Sequence, residues 1–409
     1  MTDRTSPGEL ATVDEVRSAL AGTMSQERLR IVAALIRTTR SWDLAEDAVA
    51  DAAERALLRW QHDGVPANPA AWLTTTARRR AIDLIRRTHT EHTLLAEVTD
   101  IEQPAHPALS PVSDDRLRLI FTCCHPALPM QARAALTLKV VSGLSTAAVA
   151  RAFLTSEATM GQRLLRAKNK IAHAAIPYRV PTAEMLPERL DGVLAVVYLV
   201  FTEGYAAGRD SLAEEAIRLG RLLDKLMPES EEVRGLLALM LLQHSRRNAR
   251  TVEGELVTLE HQDRTRWDAA EVAEALALRS TATDRGPYRL QADLATFHAT
   301  ARHAADTNWP AIVALYDELI ERHPSPVVAL NRAIAVGMSD GPQVGLAALN
   351  ALGSDPRLEG YHLLPAAHAD LLARTGRPAE AKFAFDRAIE LAPTEQEQRQ
   401  LARRRDELG

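Results

Sequence analysis

The chain has 409 residues, of which 46% are hydrophobic and 25% charged, a make-up that excludes a disordered or fibrous protein. Only 4% of residues are aromatic, and Ala and Leu dominate over the β-branched and aromatic types, so an all-α protein is expected rather than one built on sheets. The net charge of −5 counts against a nucleic-acid partner until the chain is divided: residues 1–180 hold 23 Lys+Arg and 19 Asp+Glu, a balance of +4, whereas the remainder holds 26 and 35, a balance of −9.

The first residues, MTDRTSPGELATVDE, are acidic and polar and lack the basic and apolar stretches of a signal peptide, which with the cysteine usage leads us to expect a cytoplasmic protein. A helical block is expected from about Val13 to Arg87, broken by the Gly- and Pro-containing stretch from Gln61 to Pro69. Between Asp43 and Trp60, Leu44, Ala48, Val49, Ala52, Ala56 and Leu57 recur at helical spacing and leave Glu46, Asp47, Asp51 and Glu54 on another side, which gives that helix an acidic face. After the break, Trp72, Leu73, Ala77, Ile82 and Ile85 form the apolar stripe of a helix whose other side carries Arg78, Arg79, Arg80, Arg86 and Arg87. Periodicity then fades over residues 91–113, where Pro104, Pro107 and Pro111 suggest a linker.

A second block begins at Asp114. The adjacent Cys123 and Cys124 cannot form a disulfide framework, and with His125 they fall short of a structural zinc site, so they are read as packing residues and no metal or cofactor is expected. A helix ending at Ser142-Gly143, a short helix from Thr146 to Phe153 and a longer helix from Ser156 to Ala172, with Ser145 and Ser156 placed to cap, have the layout of a helix-turn-helix. From Arg133 to Lys170 there are seven basic residues and one acid, Glu157.

Further on, Gly192 to Phe201 is an apolar run of ten residues, half of the roughly 20 that span a bilayer, and reads as a buried helix. The rest is helical without evident strands. Near the end, Ala369, Ala381, Phe385, Ala388 and Pro393 fit the small, aromatic and closing positions of a tetratricopeptide pattern of about 34 residues, and one period earlier Ala335 and Ala347 take two of the small positions. No Ser/His/Asp arrangement, carboxylate pair or phosphate-binding Gly loop appears, so no catalytic residue is assigned and the chain is not expected to be an enzyme.

Three stretches together resemble the alternative sigma factors of bacterial RNA polymerase, of the extracytoplasmic-function type. SWDLAEDAVADAAERALLRW (Ser41–Trp60) is similar to the family's region 2 helix that docks on core polymerase, and NPAAWLTTTARRRAIDLIRR (Asn68–Arg87) to the helix that follows it. LTLKVVSGLSTAAVARAFLTSEATMGQRLLRAKNKI (Leu136–Ile171) is similar to region 4, which reads the −35 element. RLRLIFTCCHPAL, DGVLAVVYLVFTEGY and GPYRLQADLATFHA look like signatures of a subgroup with a long helical C-terminal extension.

The resemblance implies region 2 at 10–90, a linker at 91–113, region 4 at 114–178 and a tetratricopeptide-like extension at 179–409. It implies core polymerase contact through Glu46, Asp47 and Asp51, with −10 contacts from Asn68 (Gln61 and His62 being alternatives) and from Arg78, Arg79, Arg80, Arg86 and Arg87. The −35 element would meet Thr159, Gln162, Arg163 and Arg166 at base edges and Lys168 and Lys170 at the backbone. The implied partners are core RNA polymerase, promoter DNA and a protein ligand of the repeats, with no membrane. The function expected is promoter-specific initiation under the influence of the extension. The alternative is a helical-repeat adaptor with a sigma-like DNA-binding half and no initiation activity.

Overall fold

A computed structural model describes residues 12–89, 114–206, 210–279, 285–353 and 355–408. They form an all-α protein that divides into two compact units, with the break between Glu203 and Gly204. The linker inferred at 91–113 lies outside the described residues.

The first unit starts with α1 (Val13–Thr39), whose Thr12 and Glu15 form a capping box, followed by α2 (Trp42–Asp63) and α3 (Pro69–His89). Ala45, Ala48, Val49, Ala52, Ala56 and Trp60 bury one side of α2, and Leu73, Ala77 and Ala81 bury one side of α3. Trp72 is half-buried and meets Trp60 edge-on at 5.5 Å between ring centres. Helix α2 runs past Gln61 to Asp63 and stops at Gly64, whose φ of 78° ends it, so the connecting loop is shorter than the Gly and Pro residues suggest.

Next come α4 (Asp115–Cys123), α5 (Met130–Leu136) with a π turn over Thr137–Val141, α6 (Thr146–Ala152), α7 (Glu157–His173) and α8 (Leu186–Ala206). Ser145 accepts a hydrogen bond from the Ala148 amide (3.1 Å) and Ser156 from the Thr159 amide (3.2 Å), so both serines cap their helices. Cys123 and Cys124 are both buried; burial raises both thiol pKa values, that of Cys124 to about 11. Val193, Leu194, Val196, Val197, Val200 and Phe201 bury the apolar run of α8, and no described helix is long and apolar enough to cross a membrane.

In the second unit α9 (Asp210–Leu226), α11 (Ala269–Ala277) and α12 (Pro287–Thr300) surround α10 (Glu231–His244), which is buried along nearly its whole length. Two residues each of β1 (Thr251–Val252) and β2 (Glu255–Leu256) pair around Glu253-Gly254, both at positive φ, as a tight hairpin requires. Two-residue strands carry no alternation to read, which is why the sequence gives no sign of them.

The chain continues with α13 (Trp309–Arg322), α14 (Pro326–Ser339), α15 (Pro342–Leu352), α16 (Leu363–Arg374), α17 (Pro378–Leu391) and α18 (Glu395–Asp406). Ala369, Ala381, Phe385 and Ala388 are all buried between these helices, as is Ala335, but Ala347 is exposed. Helix α17 starts 36 residues after α15, because the connection before α16 holds an extra 3-10 turn at Pro356–Leu358. The position matching Ala381 is therefore Gly345, which lies against Gly337 of α14.

Glycine-to-alanine changes at two helical sites should have opposite signs. A Cβ at Gly235 on α10 would come within 2.6 Å of the Arg289 backbone nitrogen, so Gly235→Ala should destabilise by about 1–3 kcal/mol. A Cβ at Gly161 on α7 meets nothing within 4 Å, so Gly161→Ala should stabilise by up to about 1 kcal/mol. Thermal melts of the two variants measure both effects.

Candidate polymerase and nucleic-acid interface

Helix α7 is the second helix of the helix-turn-helix, and burial of Met160, Leu164, Ala167 and Ile171 fixes which side faces out. Thr159, Gln162, Arg163, Arg166 and Lys170 line one groove of about 730 Å³ together with Leu128, Pro129 and Gln131. Gln162, Arg166 and Lys170 are exposed, while the Arg163 guanidinium lies 5.8 Å from the Phe153 ring centre. Thr159 is exposed, and its hydroxyl already shares a 2.8 Å hydrogen bond with Ser156. These are adaptable donors and acceptors on one solvent-facing strip, chemistry suited to base edges and phosphates.

Lys168 is placed differently. Its Nζ donates to Oδ1 of Asp43 (2.7 Å) and to Oε2 of Glu46 (2.9 Å), both on α2. Glu46 also pairs with Arg28 of α1 at 3.7 Å, and Arg28 donates to the Val140 carbonyl (3.0 Å) in the π turn. Tyr178 completes the contact by donating to the carbonyl oxygens of Ala33 (2.9 Å) and Asp115 (3.3 Å). Burial disfavours the Lys168 ammonium, but the Asp43 hydrogen bond and the Glu46 charge outweigh it and hold its pKa above the ordinary 10.5. The stabilisation from a raised lysine pKa is complete below the unfolded value and is lost only as pH rises through the folded one, so the contact persists across the physiological range.

A second pair joins residues for which the family resemblance implies different partners. Arg80 of α3 forms an ion pair with Asp51 of α2, which Arg55 also approaches at 3.7 Å. Asp47 is exposed, with no ion pair among the described residues. On α3, Arg79 and Arg86 are exposed and Arg78 is half-buried, while the Arg87 side chain lies outside the described residues. Asn68 is exposed and its Oδ1 accepts from the Ala71 amide (3.0 Å), so it caps α3. Asp43 and Arg28 were missed in the sequence; Asp43 sits in the first turn of the acidic helix, where it reads as a dipole partner, and nothing local marks Arg28.

Residues 24–90 match the family model for Sigma-70 region 2, and residues 118–171 match that for Sigma-70, region 4. Residues 189–283 match a family of unknown function (DUF6596). An uncharacterized protein of Rhizobium meliloti (strain 1021) is 44% identical over 399 residues, a span that covers 93% of this chain and 94% of that one. No solved structure matches. The chain belongs to the sigma-70 family and carries a C-terminal extension. Its two sigma regions are those of a non-enzymatic family of DNA-binding transcription factors.

Two predictions follow from this geometry. A double-mutant cycle on Lys168→Ala and Glu46→Ala, read by chemical denaturation, should give a coupling energy of about 1–2 kcal/mol at low salt that falls markedly in 1 M NaCl. Leu154, in the turn before α7, has φ 50° and is 85% exposed. Leu154→Gly should therefore relieve left-handed backbone strain without loss of packing and raise stability by about 0.5–1 kcal/mol in a thermal melt.

Proposed function

We propose that the protein is an alternative sigma factor of the extracytoplasmic-function type. It docks on core RNA polymerase through the acidic face of α2, meets the −10 element with α3 and the −35 element with α7, and directs promoter-specific initiation. Region 2 then spans 10–90 and region 4 spans 114–178, and the tetratricopeptide-like extension from 179 adjusts activity in cis. The observation that carries this reading is the gathering of Thr159, Gln162, Arg163, Arg166 and Lys170 along one groove of α7 in a region 4 match. Asp47, Arg79 and Arg86, exposed on α2 and α3, are compatible with contacts to polymerase and to DNA phosphates.

In this reading the Lys168 contact is a closed state. Glu46 cannot meet polymerase, nor Lys168 a DNA phosphate, while the two hold each other. Holoenzyme formation separates them, which couples polymerase docking to exposure of the full −35 surface.

Run-off transcription with purified core polymerase tests the reading on templates taken from upstream of the protein's own gene and its neighbours. A promoter-dependent transcript is expected; binding to DNA without any such transcript would favour the adaptor. In the same assay Arg166→Ala should weaken promoter binding by about 1–3 kcal/mol if the arginine reads a base edge, whereas Lys170→Ala should weaken all sequences alike and lower the salt slope by about one.

A further inference from the structure

In the acidic second unit Arg247, half-buried, meets Asp268 at 2.8 Å and Glu271 at 3.0 Å, and Arg289, buried, meets Asp293 at 3.1 Å. Arg246, Arg250 and Arg264 do not. Among the described residues none of the three has an ion pair; they crowd instead around two aromatic rings. Arg246 donates to the Tyr205 hydroxyl (3.3 Å) and lies 6.0 Å from the Trp267 ring centre. Arg250 stacks 3.9 Å over the Tyr205 ring and donates to the Tyr205 carbonyl (2.6 Å). Arg264 lies 4.7 Å from the Trp267 ring centre and donates to the carbonyl oxygens of His298 and of Ala301, the latter at 3.0 Å. Trp267 itself is only 9% exposed, and its indole N–H has no acceptor among the described residues.

The arrangement is rich in donors and poor in negative charge. Burial lowers the pKa of Arg246, with the Arg250 charge adding to it, and burial together with Arg246 lowers that of Arg264, which the charge of Asp306 only partly offsets. Burial and the same two guanidinium groups push His298 down to about 4, so its imidazole is neutral at neutral pH. Ring faces compensate a cation by about 0.5–2 kcal/mol each, but they remove neither the mutual repulsion nor the unmet indole donor. Neighbouring cations that feel one another's charge, beside a buried N–H without an acceptor among the described residues, call for an anion with several oxygens.

We propose that Arg246, Arg250, Arg264 and the Trp267 indole form a binding site in the extension for the phosphate group of a small ligand. A phosphate dianion offers three terminal oxygens and two charges to three guanidinium groups, whereas a carboxylate offers two oxygens and one charge and leaves more of the donors unmet. The site does not depend on the transcription reading above.

The test uses the full chain, with inorganic phosphate and adenosine 5′-monophosphate as probes and acetate as control, all at one ionic strength. Each phosphate at about 20 mM should raise Tm by about 2–4 °C while acetate does not, because binding stabilises the native state alone. A larger shift with the monophosphate identifies a phosphate ester as the ligand, and an equal shift identifies free phosphate. The shift should persist in Arg166→Gln, which alters the basic groove of α7, and disappear in Arg264→Gln and Arg250→Gln. Should those variants fail to fold, wild-type tryptophan fluorescence decides: phosphate should change it, and the change should vanish in Trp267→Phe. The proposal is overturned if phosphate has no effect beyond acetate, or if the effect survives in the folded arginine variants or in Trp267→Phe.

Discussion

One ammonium group held between two carboxylates links the two sigma regions. Lys168 reaches from α7 to Asp43 and Glu46 on α2, and Arg28 shares Glu46 while holding the carbonyl of Val140. Two cations and two anions make a neutral cluster, which offsets the cost of half-burying Lys168, Glu46 and Arg28, while Asp43 stays exposed at its edge. The fold makes room for it: Gly143 has φ 78°, and a Cβ there would come within 2.8 Å of the Arg28 guanidinium. The Tyr178 hydroxyl ties the same regions by two backbone carbonyls, contacts that are insensitive to salt where the ion pairs are not.

The same economy extends to Asp51 and Arg80. Asp51 and Arg80, whose charges suit polymerase and DNA, are paired with each other, whereas Asp47 on α2, Arg79 on α3 and the strip lining the α7 groove have no ion pair among the described residues. The +4 of residues 1–180 therefore overstates the unpaired positive charge of that segment. In the extension the balance is reversed: a −9 segment gathers three arginines that form no ion pair among the described residues.

The helices that could be placed in advance, mainly those of the first unit, were legible because their signals are local. Periodic alanines and leucines mark α2, Ser145 and Ser156 mark the starts of α6 and α7, and Ala369, Ala381, Phe385 and Ala388 mark the packing of α16 on α17. What stayed hidden depends on distance in space. Lys168 and Glu46 are 122 residues apart, and a lysine on a basic helix gives no hint that its partner is an acid on another. The 36-residue step from α15 to α17 was missed because a 3-10 turn adds length without periodicity, so a fixed period placed Ala347 where Gly345 stands. The cluster around Trp267 joins residues from 205 to 298 that carry no common spacing, and nothing in the sequence separates those arginines from their paired neighbours.

In the proposed function the Lys168 contact and polymerase docking exclude each other. Fluorophores on Leu58→Cys of α2 and Leu165→Cys of α7, both exposed positions, would report the separation of the two regions by energy transfer, since the native Cys123 and Cys124 are buried with raised thiol pKa values and label poorly. Adding core RNA polymerase should lower the transfer efficiency, and Lys168→Glu should lower it without polymerase. An efficiency unchanged by polymerase under conditions where the protein supports transcription would contradict the account.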